Sequence, residues 1–145
     1  MTEVQMRELV SAAFAAAWPA ASGGVPFALE NEALPSSNTF VQLTITPTTS
    51  AQATHGKRGN RKVTRRGWIQ VKMWGPANAG SAGLAGLGDI AQSILEMTSF
   101  PSPVPGDDPV TTLASDGARR LGGSDEDGRW YMGVVRVPFV FFERR

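Results

Sequence analysis

Six cations crowd one ten-residue run of this sequence: Lys57, Arg58, Arg61, Lys62, Arg65 and Arg66, with no acid among them. Ammonium and guanidinium groups at that density repel one another, and the chemistry they offer is anion recognition. On residue types alone three environments suit them: DNA phosphate, a carboxylate-bearing surface of a partner protein, or plain solvent. Nucleic acid would bring a steep salt dependence, with a slope of about −0.9 per phosphate neutralised. The run carries no interleaved aromatics for stacking single strands and sits on no recognition helix, so sequence-specific readout is not expected. Contact with a passing duplex, or with acidic protein, stays open.

Bond-making chemistry has little to work with. His55 is the only histidine and there is no cysteine, so a metal would lack an obvious second strong ligand. No serine stands in a nucleophile-elbow setting, and the polar loop around His55 reads as a solvated one. The glycines of "GSAGLAGLG" match neither the dinucleotide fingerprint nor the phosphate loop with its lysine. "SDEDG" lacks the ligand that a calcium loop requires at its far end. No enzymatic activity, cofactor or metal is expected.

Charge is instead divided along the chain. From Ala33 to Gly88 there are seven basic residues and no acidic one, whereas the remainder holds seven basic and thirteen acidic residues. A net charge of +1 therefore hides two regions of opposite sign. Such a chain suits docking onto copies of itself or onto a charged partner. Asp107, Asp108, Asp125, Glu126 and Asp127 form the candidate acidic patch complementary to the basic arm.

The elements that must position these groups are legible from periodicity. Thr2 and Gln5 make a capping box, and Met6, Leu9, Val10, Ala13, Phe14, Ala17 and Trp18 follow one helical face, with Pro19 expected to stop it. "VPFAL" contains a short extended piece. Thr39–Ile45 and Trp68–Trp74 alternate as strands, Pro47 ending the first, and together they predict a long hairpin with the basic cluster at its tip. Ser81 caps a second helix carrying Leu84, Leu87, Ala91, Ile94 and Leu95. Val110–Leu113 and Ala118–Leu121 are shorter strands, and "RWYMGVVRVPFVFFERR" is a long final one in which Pro138 marks an edge or a bulge. The 145 residues predict a single domain, 1–145, of α+β class: an antiparallel or mixed sheet of about four strands, two helices on one face, and a long basic hairpin arm. On that plan Trp68 and Trp74 share the uncovered face with Gln70 and Lys72, as candidate interface aromatics. No stretch is long and apolar enough for a membrane span and the start does not read as a signal peptide, so cytoplasmic synthesis is expected.

Read as a whole, the chain resembles the tail terminator-like proteins of long-tailed bacteriophages. The resemblance is carried by "AAAWPA", "VPFALEN", "FVQLTI", the basic glycine-rich arm, "GWIQVKMWGPANAGSAGLAGLGDIAQSIL" and "GRWYMGVVRVPFVFF", from about Val4 to Phe142. It implies a structural virion protein that forms a ring, usually a homohexamer, at the top of the tail tube. The ring ends tube polymerisation and offers its other side to the head connector, while double-stranded DNA passes through the lumen without sequence-specific contact. A neck or head-completion adaptor shares that architecture and stays open. So, from a different class, does a sequence-independent duplex-binding protein.

Overall fold

The computed structural model describes residues 1–76, 82–115, 120–124 and 130–145, with 120–124 and 130 described through their backbone. Along the chain these form α1 (Glu3–Ser22), β1 (Phe27–Ala28), β2 (Phe40–Gln52), β3 (Lys62–Pro76), α2 (Ala82–Leu95), β4 (Ser99–Phe100), β5 (Val110–Thr112), β6 (Arg120–Ser124) and β7 (Trp130–Arg144). The class is α+β. The sheet runs in the order β1-β2-β3-β7-β5-β4, with β6 pairing the free stretch of β7. β1 is parallel to β2 and every other pair is antiparallel.

Seven strands replace the expected four or so. β5 falls within the expected Val110–Leu113 and β1 within the short extended piece of "VPFAL", while β4, two residues long, is too short to show an alternation and was not foreseen. The long strands also exceed their expected ends. β2 continues through Pro47 to Gln52, with a bulge between Pro47 and Thr49. Beyond Gln42 its outer edge has no partner strand among the described residues, so the missing N–H of Pro47 leaves no ladder position empty. Pro138 lies inside β7 opposite Trp68, and its carbonyl accepts from Leu113 at 2.9 Å. Its absent N–H falls where β6 pairing has stopped and β5 pairing has not yet begun.

α1 opens on the capping box as expected, but Pro19 does not stop it. Trp18 is fully buried and its indole N–H donates to the Val25 carbonyl at 2.9 Å, which holds the backbone on either side of Pro19 in place. The helix closes at Gly23, whose φ of +72° is left-handed, while Gly24 N–H bonds Pro19 O at 2.9 Å. Met6, Val10, Phe14 and Trp18 of α1 and Leu84, Leu87, Ala91 and Leu95 of α2 share one core cluster with the sheet. The sheet's contribution is one parity of each strand: Val41, Leu43 and Ile45, then Ile69, Val71 and Met73, then Val135, Val137, Phe139 and Phe141. Both helices cover that inner face. Ser81, the expected cap of α2, lies outside the described residues, as do Asp125, Glu126 and Asp127.

Candidate partner-binding surfaces

The basic run is not confined to a hairpin tip. β3 begins at Lys62, and β7 pairs with it from Lys62↔Arg144 to Pro76↔Trp130, so Lys62, Arg65 and Arg66 are strand residues in a ladder. Only Lys57, Arg58 and Arg61 belong to the exposed tip. The reason is length: the alternation was visible over seven residues, whereas the strand runs for fifteen.

Two of the strand cations already hold anions of their own chain. Arg65 points inward, 16% exposed, and its guanidinium bridges Glu3 at 2.9 Å and Glu143 at 3.4 Å. It thereby ties the start of α1 to β3 and to the end of β7. Its Nε is buried without a hydrogen-bond partner. Lys62 Nζ reaches Asp108 Oδ2 at 2.6 Å and lies 5.7 Å from the centre of the Phe142 ring. The expectation that the arm waits for an external anion is therefore corrected for Lys62 and Arg65. Arg66 points to the opposite face, is exposed and has no ion pair among the described residues.

Asp107 and Asp108 are likewise engaged inside the protomer. Asp107 accepts from the Met1 amine at 2.5 Å and pairs with Arg144 Nε at 3.2 Å. The hydrogen bond from that amine, more than the nearby charges of Arg144 and Lys62, holds the Asp107 carboxyl below its ordinary pKa. The patch foreseen as a neighbour's docking site is thus partly an intramolecular clasp, a pairing across 46 and 106 positions that no local rule predicts.

The tip has its own order. Asn60 N–H bonds Lys57 O at 3.0 Å, Gly59 adopts φ +93°, and Ala53 and Thr54 N–H both reach Lys62 O. Arg61 and Arg145 exchange backbone hydrogen bonds at 3.1 and 2.9 Å, carrying the β3–β7 ladder up to the tip. Arg61 Nε also donates to Gly56 O at 2.6 Å. Arg58, Arg61 and Arg145 line one open cavity. Lys57, Arg58 and Arg61 form no ion pair among the described residues. His55 sits in the same tip, its Nδ1 3.3 Å from Gln52 Nε2.

The second surface is the sheet face that the helices leave open. Trp68 and Trp74 both lie there, half-buried, with Phe40 stacked on Trp74 at 5.0 Å and 19° between planes. Cross-strand register adds Arg136 beside Gln70, Val134 beside Lys72, Pro138 beside Trp68 and Val140 beside Arg66. Leu113, 52% exposed, joins Trp68, Pro138 and Val140 around a groove of about 440 Å³. Parity alone placed Lys72 with the tryptophans. Arg136 was not found from the sequence, because that requires the β3–β7 register.

A further cavity of about 330 Å³ is lined by Val25, Thr39, Gly75, Pro76, Gly83, Leu84 and Leu87, none of them titratable. Among the described residues no group of three or more His, Asp or Glu side chains is placed to hold a metal ion, and no helix is long and apolar enough to cross a membrane.

No protein-family model matches the chain, and no curated protein does. Twenty-two solved chains match in fold. One of them, known by a sequence identifier that names no activity, superposes with a TM-score of 0.59 at 14% identity, covering 95% of this chain and 96% of its own. At that identity the likeness establishes a shared fold along nearly the whole length and nothing about activity.

Proposed function

We propose that this protein is a tail terminator: a virion protein that closes into a ring on the end of a phage tail tube, ends its growth and presents a surface to the head connector. The reading rests first on the whole-length sequence resemblance. The observation that carries it is the division of the protomer's surface into unlike faces, a basic tip and half-apolar sheet on one hand and an acid-bearing helical layer on the other. Heterologous ring contacts need two such different patches on each protomer. The partners on this reading are further copies of the chain, the tube protein and the connector, with duplex DNA passing through the lumen.

The tip cations then meet acidic protein rather than DNA. A duplex must slide during ejection, and rings of tight phosphate contacts would hold it back, whereas carboxylates on a neighbouring subunit, tube or connector could bind permanently.

The test is direct imaging of assembled particles together with tails made without this protein. A ring of it between tube and connector is expected, and its removal should give tubes of uncontrolled length that fail to join heads. Normal tails without it, or particles lacking it, would overturn the reading. Should the particles be normal while the isolated protomer binds duplex DNA with a steep salt slope, the tip belongs to DNA instead.

A further inference from the structure

The three strands that meet at the open face carry one acid in all, Glu143, and it lies on the other side, bonded to Arg65. Outward from the same strands point Arg66, Lys72 and Arg136, none ion-paired among the described residues, around the half-buried rings of Trp68 and Trp74. By strand geometry this face is roughly 40 Å long and 14 Å wide, about 560 Å² in projection, the larger part of the roughly 800 Å² that each partner gives to a specific interface. It does not suit stacked bases. Phe40 covers one side of Trp74, and six positions on one strand set the two tryptophans roughly 20 Å apart, too far for neighbouring bases.

A surface of complementary character lies on the helical side of the same protomer. Val4, 63% exposed, and Glu8 sit one turn apart on the outward stripe of α1. The loop after β1, tied to α1 by the Arg7–Glu30 ion pair, adds exposed Glu32 and Leu34, the latter 49% exposed. Among the described residues Glu8, Glu32, Val4 and Leu34 are exposed there, Glu32 accepting from Leu29 N–H at 2.9 Å, as the cations Arg66 and Arg136 are on the sheet.

We infer that the open sheet face of one copy docks the outer stripe of α1 and the Glu30–Leu34 loop of the next, with Arg66, Lys72 and Arg136 set against Glu8 and Glu32. The occupant is a second copy of this chain. The packing is head-to-tail, since the two patches differ and lie on opposite layers of the fold. The inference rests on the ring reading but assigns its interface to named surfaces.

The chain has no cysteine, so introduced ones report without background. Val4→Cys and Gln70→Cys proteins, both altered at solvent-facing positions, are mixed as full-length chains and oxidised. Roughly tenfold more 4–70 heterodimer than either like-with-like dimer is expected, as heterologous packing requires. Lys72→Glu with Arg136→Glu should remove the excess, and Glu8→Lys with Glu32→Lys in the partner should restore it. A 4–70 yield no higher than the like-with-like controls overturns the interface, as does a dominant 70–70 link, which would mean face-to-face pairing. Quenching of tryptophan fluorescence by duplex DNA with no 4–70 link would give the face to nucleic acid and also overturn it. Imaging separates this from the broader reading: a ring without 4–70 links disproves only the interface, while 4–70 links without a ring on the tail leave the interface and remove the terminator.

Discussion

Between Lys57 and Arg66 the chain passes from a hairpin tip into a ladder flanked on both sides, and the two halves of one basic run treat their charge differently. At the base, Arg65 stands opposite Phe141 in the ladder and its two terminal nitrogens pair with Glu3 and Glu143, while Lys62 is clasped by Asp108. At the tip, Lys57 and Arg58 are held only through backbone turns and remain exposed. Lys62 and Arg65 are structural fasteners joining α1, β3, β7 and the loop after β4, whereas Arg66, on the opposite face, is not. Among the described residues the tip cations have no ion pair of their own. A run of like charge is thus not one functional unit, and strand register decides which members are available.

Substitutions at the base should act on stability, and the largest effect lies beneath it. Phe141 is fully buried opposite Arg65, so Phe141→Ala should cost about 3 to 5 kcal/mol in urea unfolding. A loss well under 1 kcal/mol would show that β7 does not anchor the arm. Next comes Gly67, where a Cβ would stand 2.3 Å from Thr46 O and 2.7 Å from Pro47 Cα. Both are backbone atoms beside the β2 bulge and cannot swing aside. Gly67→Ala should cost about 1 to 3 kcal/mol by the same measurement, and a neutral result would mean the hairpin shifts register freely. Arg65→Ala, which leaves Glu3 with Arg7 alone and Glu143 with Arg145 alone, should cost about 1 kcal/mol, between an exposed and a buried pair. If it matches a tip substitution instead, the distinction between base and tip fails.

A smaller effect appears only in acid. Asp107 is held below its ordinary carboxyl pKa in the folded state, so its contribution is complete above the unfolded value of 3.8. That contribution is lost as the pH falls through the lower folded value. Unfolding free energy measured from pH 5 downward should therefore decline, and Asp107→Asn should flatten part of that decline. An unchanged acid limb in the variant would mean the clasp on Met1 and Arg144 is not formed in solution.

How much of this could be read in advance divides along the same line. Val41, Leu43 and Ile45 and Ile69, Val71 and Met73 announced their strands, because alternation is a local property and one face is buried. Trp18 and the capping box announced α1, yet Pro19 misplaced its end, since only the tertiary bond from Trp18 to Val25 shows that the helix survives. For the candidate surfaces, composition exposed the basic run and parity set Trp68 and Trp74 with Lys72. The partition of that run was hidden, because Lys62–Asp108 and Arg65–Glu3 join residues 46 and 62 positions apart. Charge complementarity within a sequence does not say whether it closes within a molecule or between two.

The smallest expected change in stability is at the tip, where the expected change in assembly is largest. Lys57 and Arg58 are exposed and their side chains make no hydrogen bond, ion pair or ring contact among the described residues, so Lys57→Ala with Arg58→Ala should shift stability by less than about 0.5 kcal/mol. Among the described residues none supplies them an anion. On the reading proposed here that anion is a carboxylate of another protein, so the double variant should fold normally and still fail in tail-length control or head joining. Each exposed pair lost is worth only 0 to about 1 kcal/mol, but a ring repeats the loss at every subunit, which turns a weak contact into a visible assembly defect. Length distributions of tails assembled with the double variant, set beside those with Arg65→Ala, measure this. If the tip variant assembles like wild type and only DNA retention or ejection changes, the tip faces the lumen and its anion is phosphate.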